Sequence, residues 1–179
     1  MAAVLKLWDA PWCERERIHL FGGDQGLYYG PNMIKTSGTI GTVLHHKGTT
    51  VWTISPQATV FDAIRLLAQK NIGALPVVEG DRLVGIFSER DYTRKVALEG
   101  KTSHNTKVCE ILTTNVATIS PHDTVEDAMR LMTGKHIRHL PVMEQGRMVG
   151  FVSIGDMVNW IISAQSATID QMESYLSGR

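Results

Sequence analysis

Residues 53–96 recur as residues 118–161 at a constant offset of 65, without a gap, and about 21 of the 44 aligned positions are identical. Thr-Ile-Ser-Pro opens both copies, at Thr53 and Thr118. Thr-Val-x-Asp-Ala follows at Thr59–Ala63 and Thr124–Ala128, and Leu-Pro-Val at Leu75–Val77 and Leu140–Val142. Val-Gly-x-x-Ser-x-x-Asp closes the match at Val84–Asp91 and Val149–Asp156. Two copies are too few to stack as a solenoid. One copy, under about 60 residues, buries too little apolar surface to stand alone. The expected fold class is therefore α+β: tandem β-α-β-β-α repeats packed face to face about a pseudo-two-fold axis around a shared core.

Each copy carries the same local signals. Thr59-x-x-Asp62 and Thr124-x-x-Asp127 are capping boxes that start helices. Val60, Ala63, Ile64 and Leu67 then follow helical spacing, as do Val125, Ala128, Met129 and Met132. Paired apolar runs come next: Ala74–Val78 with Leu83–Phe87, and Leu140–Met143 with Met148–Val152. The turn residues Glu79–Asp81 and Glu144–Gly146 separate them, which predicts a hairpin in each copy. Ser-x-x-Asp then opens a second helix over Glu89–Leu98 or Ile154–Ser163. A first short strand is expected near Val51–Ile54 and Val116–Ile119. Pro76 and Pro141 place the first hairpin strand at a sheet edge.

The boundaries that follow are an N-terminal extension at 1–32, a first repeat at 33–100, a second at 101–165 and a C-terminal helix at 166–179. The extension holds Trp8, Trp12, Phe21, Tyr28 and Tyr29. It is either a segment appended before an alternative start at Met33 or an arm that packs its aromatics on the repeats. Over Thr168–Leu176, Ile169, Met172 and Leu176 form a packing stripe.

Composition excludes several function classes. The 18 Lys and Arg balance 18 Asp and Glu, so no basic excess is present to displace counterions, and DNA is not an expected partner. No apolar run approaches the ~18–20 residues of a membrane span, and Met1–Leu7 is too short for a secretory signal. Two cysteines, Cys13 and Cys109, cannot form a disulfide framework, so a reducing, cytoplasmic setting is expected. Cys109, within the apolar stretch Val108–Leu112, is expected to pack. No G-x-S-x-G, H-E-x-x-H, C-x-x-C or G-x-G-x-x-G occurs. Gly100–Lys101–Thr102 lacks the glycine that a phosphate loop needs five residues earlier, where Lys95 stands. His45–His46 lacks companion ligands for a metal. No catalytic residue and no metal ligand is assigned. A hydrolase using His139 with Ser153 is the enzyme alternative, but no third residue is visible to orient the histidine.

The repeated Ser88-x-x-Asp91 and Ser153-x-x-Asp156 admit two readings. Either they only cap helices, or they form a ligand site. In the second case the helix start favours phosphate, serine adds a hydrogen bond, and the carboxylate accepts both hydroxyls of a ribose. Differences between the copies favour the ligand. Gly73–Ala74 becomes Arg138–His139, Arg90 becomes Gly155, and Arg94–Lys95 becomes Asn159–Trp160. These changes gather cations toward one cleft, where an anionic ligand gains charge-assisted bonds.

The copies resemble cystathionine-β-synthase (CBS) domains, and the pair a Bateman module, over Lys35–Ser163. The carrying segments are Thr53–Ala63, Asn71–Val78, Val84–Arg94, Thr118–Ala128, His136–Val142 and Val149–Met157. The resemblance implies a non-enzymatic sensor that binds AMP, ADP, ATP or NAD, with S-adenosylmethionine ranked after them, and no catalytic cofactor. It implies that Asp91 and Asp156 hold ribose and that Ser88 and Ser153 meet phosphate. Ile72, Ala74, Ile137 and Leu140 would flank the base, with Thr53 and Thr118 contributing from the first strands. Arg138 and His139 would meet phosphates; Arg90 and Arg94 are added to the candidate site by the differences between the copies, not by the resemblance. Gly155 would let backbone approach a ligand at the Asp156 site. A homodimer is expected, and an unidentified regulated protein on another chain. The competing expectation is a structural or adaptor dimer with no ligand.

Overall fold

The computed structural model describes residues 38–48 and 50–176. The aromatic extension 1–32 and the side chains of the 168–176 stripe lie outside them.

Helix α1 spans Ile40–Lys47, with the Thr39 hydroxyl accepting from Thr42 N–H at 3.2 Å. Helix α2 (Val60–Lys70) is followed by strands β1 (Ala74–Glu79) and β2 (Arg82–Ser88) and by α3 (Glu89–Tyr92). In the second copy, α4 (Val125–Gly134), β3 (His139–Glu144) and β4 (Arg147–Ser153) lead into α5 (Ile154–Leu176). The predicted caps form in both: Thr59 and Thr124 accept from the N–H groups of Asp62 and Asp127.

The hairpins superimpose in register. Ala74 pairs with Ser88 and His139 with Ser153, and each hairpin bulges at the same place, Val77/Val78 and Val142/Met143. The expected first strand shrinks to one parallel bridge per copy, Ile54 with Val77 and Ile119 with Val142. This corrects the edge assignment from the prolines, because β1 and β3 have a neighbour on both sides. A parallel bridge asks Pro76 only for its carbonyl, which accepts from Ile54 N–H at 3.1 Å, and its missing N–H goes unneeded.

Two cores replace the expected shared one. The first unites Val60, Ala63, Leu67, Leu75, Val77 and Phe87 with Val108 and Ile111. The second unites Val125, Ala128, Met132, Leu140, Val142 and Val152 with Ile40, Val43 and Leu44. Helix α1, inside the expected first repeat of 33–100, thus completes the second core, as Val108 and Ile111, inside the expected second repeat, complete the first. Ile40 and Gly41 donate to the carbonyls of Asp123 and Pro121, as Val108 and Cys109 donate to those of Ala58 and Pro56. The equivalence of Ile40 with Val108 runs three residues longer than the repeat. That shift places both segments outside the gapless alignment. Gly85 and Gly150 are required here: a Cβ at either would enter the space filled by Leu112 or Leu44. Cys109 is exposed rather than packed, while its neighbours Val108 and Ile111 supply the apolar contacts.

The second helices differ from expectation. After α3 the chain widens into π-type turns over Thr93–Ala97. Helix α5 runs unbroken from Ile154 to Leu176, because Ala164–Ala167 offers neither glycine nor proline to end it.

Candidate functional site

At the end of β2 the Ser88 hydroxyl and N–H both donate to Asp91 Oδ2, at 2.6 and 3.0 Å. At the end of β4 the Ser153 hydroxyl and N–H donate to Asp156 Oδ2, at 2.8 and 2.6 Å. Both aspartates therefore cap their helices, and both also face hollows.

The Asp91 hollow encloses about 570 Å³. Ile86, Ser88, Arg90 and Asp91 line it from the first copy; Val116, Ala117, Lys135, Ile137, Arg138 and His139 face them from the second. The Asp156 hollow encloses about 380 Å³. Phe151, Ser153 and Asp156 line it from the second copy; Val51, Trp52, Ile72, Gly73 and Ala74 face them from the first. The two are the same construction exchanged by the repeat, of a size that suits small ligands. They abut, since Gly73 and His139 line both.

The remaining predicted residues sit elsewhere. Leu140 is fully buried in the second core; the repeat counterpart of Ala74 is His139. Thr53 and Thr118 give way to their neighbours Trp52 and Ala117 in the walls. Arg94 is exposed and Gly155 lies outside both linings. Lys95 turns onto Asp91 Oδ1 at 2.9 Å and the Ile111 carbonyl at 2.7 Å. Sequence reasoning missed Trp52, Lys135 and Lys47.

The aspartates differ in how they are engaged. Asp91, 9% exposed, uses both oxygens, because Oδ1 accepts from Thr113 Oγ1 at 3.0 Å and from Lys95. At Asp156 three donors converge on Oδ2, the third being Lys47 Nζ at 2.6 Å. Lys47 also donates to the Phe151 carbonyl. Burial pushes the Asp156 carboxyl up, but Lys47 and the Ser153 donors outweigh it and hold it below the usual range.

His139 stacks on Phe151 with centroids 5.6 Å apart and planes 6° from parallel. Ser153 Oγ donates to Asp156, not to this ring. Burial, then Arg138 and Lys47, lower the His139 pKa to about 4 from its ordinary 6.5, against the pull of Asp156. His139 is therefore neutral at pH 7. Between these two values the unfolded chain binds a proton that the folded chain does not. Stability should fall as pH drops from 6.5 toward 4, by about 2–3 kcal/mol. In urea titrations across that range His139→Gln should flatten the slope; an unchanged slope contradicts the assignment.

Among the described residues no cluster of metal-ligating side chains occurs, and no helix is long and apolar enough to cross a membrane.

Two duplicated units joined around paired hollows define a tandem-repeat module. The CBS-domain family model matches residues 48–98 and 108–163, and the chain belongs to that family. It is 38% identical over 152 residues to the mitochondrial CBS-domain protein CBSX3 of Arabidopsis thaliana, covering 79% of this chain and 73% of that protein. The CBS-domain protein YhcV of Bacillus subtilis is 37% identical over 119 residues, 66% of this chain and 84% of YhcV. A solved CBS-domain protein of Burkholderia ambifaria matches with a TM-score of 0.68 and 43% identity, over 70% of this chain and 94% of its own.

Proposed function

We propose that the chain is an adenine-nucleotide-binding regulatory module that acts on a separate partner protein. The observation that carries this reading is the pairing of each Ser-x-x-Asp motif with an opposed segment of the other copy across a hollow. Asp91 and Asp156 are the sugar-binding groups in this reading, and Ser88 and Ser153 accompany them. Arg90, Lys135 and Arg138 in the Asp91 hollow are its phosphate-binding groups. AMP, ADP, ATP and NAD are the ligands proposed, ahead of S-adenosylmethionine. A regulatory effect requires that the ligand favour one packing of the module over another.

The module is proposed to work as a homodimer. The exposed apolar side chains Phe61, Val158 and Ile162 support self-association. A CBS-CP12 protein of cyanobacteria, 33% identical with a TM-score of 0.56, is described as hexameric, so sedimentation should decide between two copies and six. A reducing compartment, the cytoplasm in our reading, suits the exposed Cys109 thiol.

Thermal unfolding with each nucleotide tests the reading. A ligand at a hundred times its Kd adds about 2.7 kcal/mol, and at least one of the five should raise Tm by several degrees. No shift at millimolar concentration of any would leave the ligand-free adaptor.

A further inference from the structure

The two hollows share a plan but not a chemistry. In the Asp91 hollow, Arg90, Lys135 and Arg138 face a single carboxylate, and that carboxylate already has Lys95 as its partner. In the Asp156 hollow the only cation of the lining among the described residues is Lys47, which is spent on Asp156 itself. The neutral His139 adds no charge. The first hollow is therefore lined by more cations than the second.

The opposite walls differ as sharply. Asn115, Val116 and Ala117 line the Asp91 hollow where Thr50, Val51 and Trp52 line the other. Trp52 is 43% exposed, although a large aromatic is ordinarily buried. The ammonium of Lys70 lies 3.7 Å from the centre of its ring, a cation–π contact that steadies the indole. An indole with one face taken by an ammonium offers a planar ligand the other. Ile72, Ala74 and Phe151 continue an apolar surface. At the polar end stand Ser153 and Asp156, whose three donors all fall on Oδ2. A planar apolar end and a carboxylate end match the two halves of a nucleoside: a base that stacks and a sugar that donates two hydroxyls.

We propose that the Asp156 hollow is a nucleoside site in which Trp52 is the stacking platform for the base, and that it favours adenosine over its phosphorylated forms. The cations of the Asp91 hollow select those forms instead. The proposal rests on the adenine-nucleotide reading and adds to it a division of labour between the hollows.

The test uses the full chain, with adenosine and ATP as probes, by calorimetry and tryptophan fluorescence. Adenosine should quench part of the emission of the parent and of Trp160→Phe, but not of Trp52→Phe. Trp52→Ala should weaken adenosine about tenfold and Trp52→Phe less, while ATP binding that is sensitive to Arg138→Ala persists in both. If ATP binds but adenosine binds Trp52→Ala as tightly as the parent, the platform is wrong and the nucleotide reading stands. If Trp52→Ala changes only the sedimentation coefficient, Trp52 is an interface residue and the proposal falls. If the parent binds neither probe, nor AMP, the nucleotide reading itself fails.

Discussion

Asp91→Ala should cost about 3 kcal/mol of folding stability, clearly more than Asp156→Ala. Four donors meet on the Asp91 carboxylate, and two of them come from its own helix start. Loss of such a cap costs about 0.5–2 kcal/mol. The Thr113 hydroxyl arrives from the segment that closes the first core, so its loss loosens a tertiary contact as well. Lys95 would be left with the Ile111 carbonyl alone. Breaking a buried pair from one side costs about 3–5 kcal/mol, but Lys95 is 37% exposed and water recovers part of that. Lys47 is as exposed as Lys95, but Asp156 lacks the hydroxyl partner from the neighbouring segment and uses only Oδ2, so about 1–2 kcal/mol is expected there. Urea midpoints at constant m-value measure both. A loss at Asp91 no larger than that at Asp156 would contradict this account of the two sites.

Leu140→Ala should destabilise by about 2–5 kcal/mol and leave nucleotide affinity within about twofold below the melting temperature. Leu140 is fully buried among Val125, Met132, Val142 and Val152. His139→Ala should do the reverse, because its side chain faces both hollows and the first copy already carries alanine at that position. Adjacent strand residues face opposite sides, so the register of one strand decides which of the two touches a ligand. Denaturation and calorimetry on both variants separate the roles. Intact stability in Leu140→Ala would mean that the register of β3 is wrong.

That pair of residues marks where sequence reading stops. The duplication, the threonine caps and both hairpins are legible because each is written within a few neighbouring residues. Opposing Leu140 to Ala74 errs by one position, although the offset of 65 points to His139. Trp52 was missed because the aligned block opens at Thr53, one residue later. Helix α1 carried its own signals in Thr39, Ile40, Val43 and Leu44, but its place on the second core could not be read. It is set by contacts such as Lys47 to Asp156, 109 residues apart. The same holds for Thr113 and Asp91: a hydroxyl and a carboxylate 22 residues apart leave no periodic trace. The continuous α5 was divided by an expectation of short elements, where the residues themselves hold no break.

A crystal structure of the chain grown with saturating ATP addresses the central claim most directly. The account predicts ligand density in the Asp91 hollow, with ribose hydroxyls on the Asp91 carboxylate and phosphates among Arg90, Lys135 and Arg138. Two empty hollows, with Asp91 still held by Thr113 and Lys95 and Asp156 still held by Lys47, would contradict it.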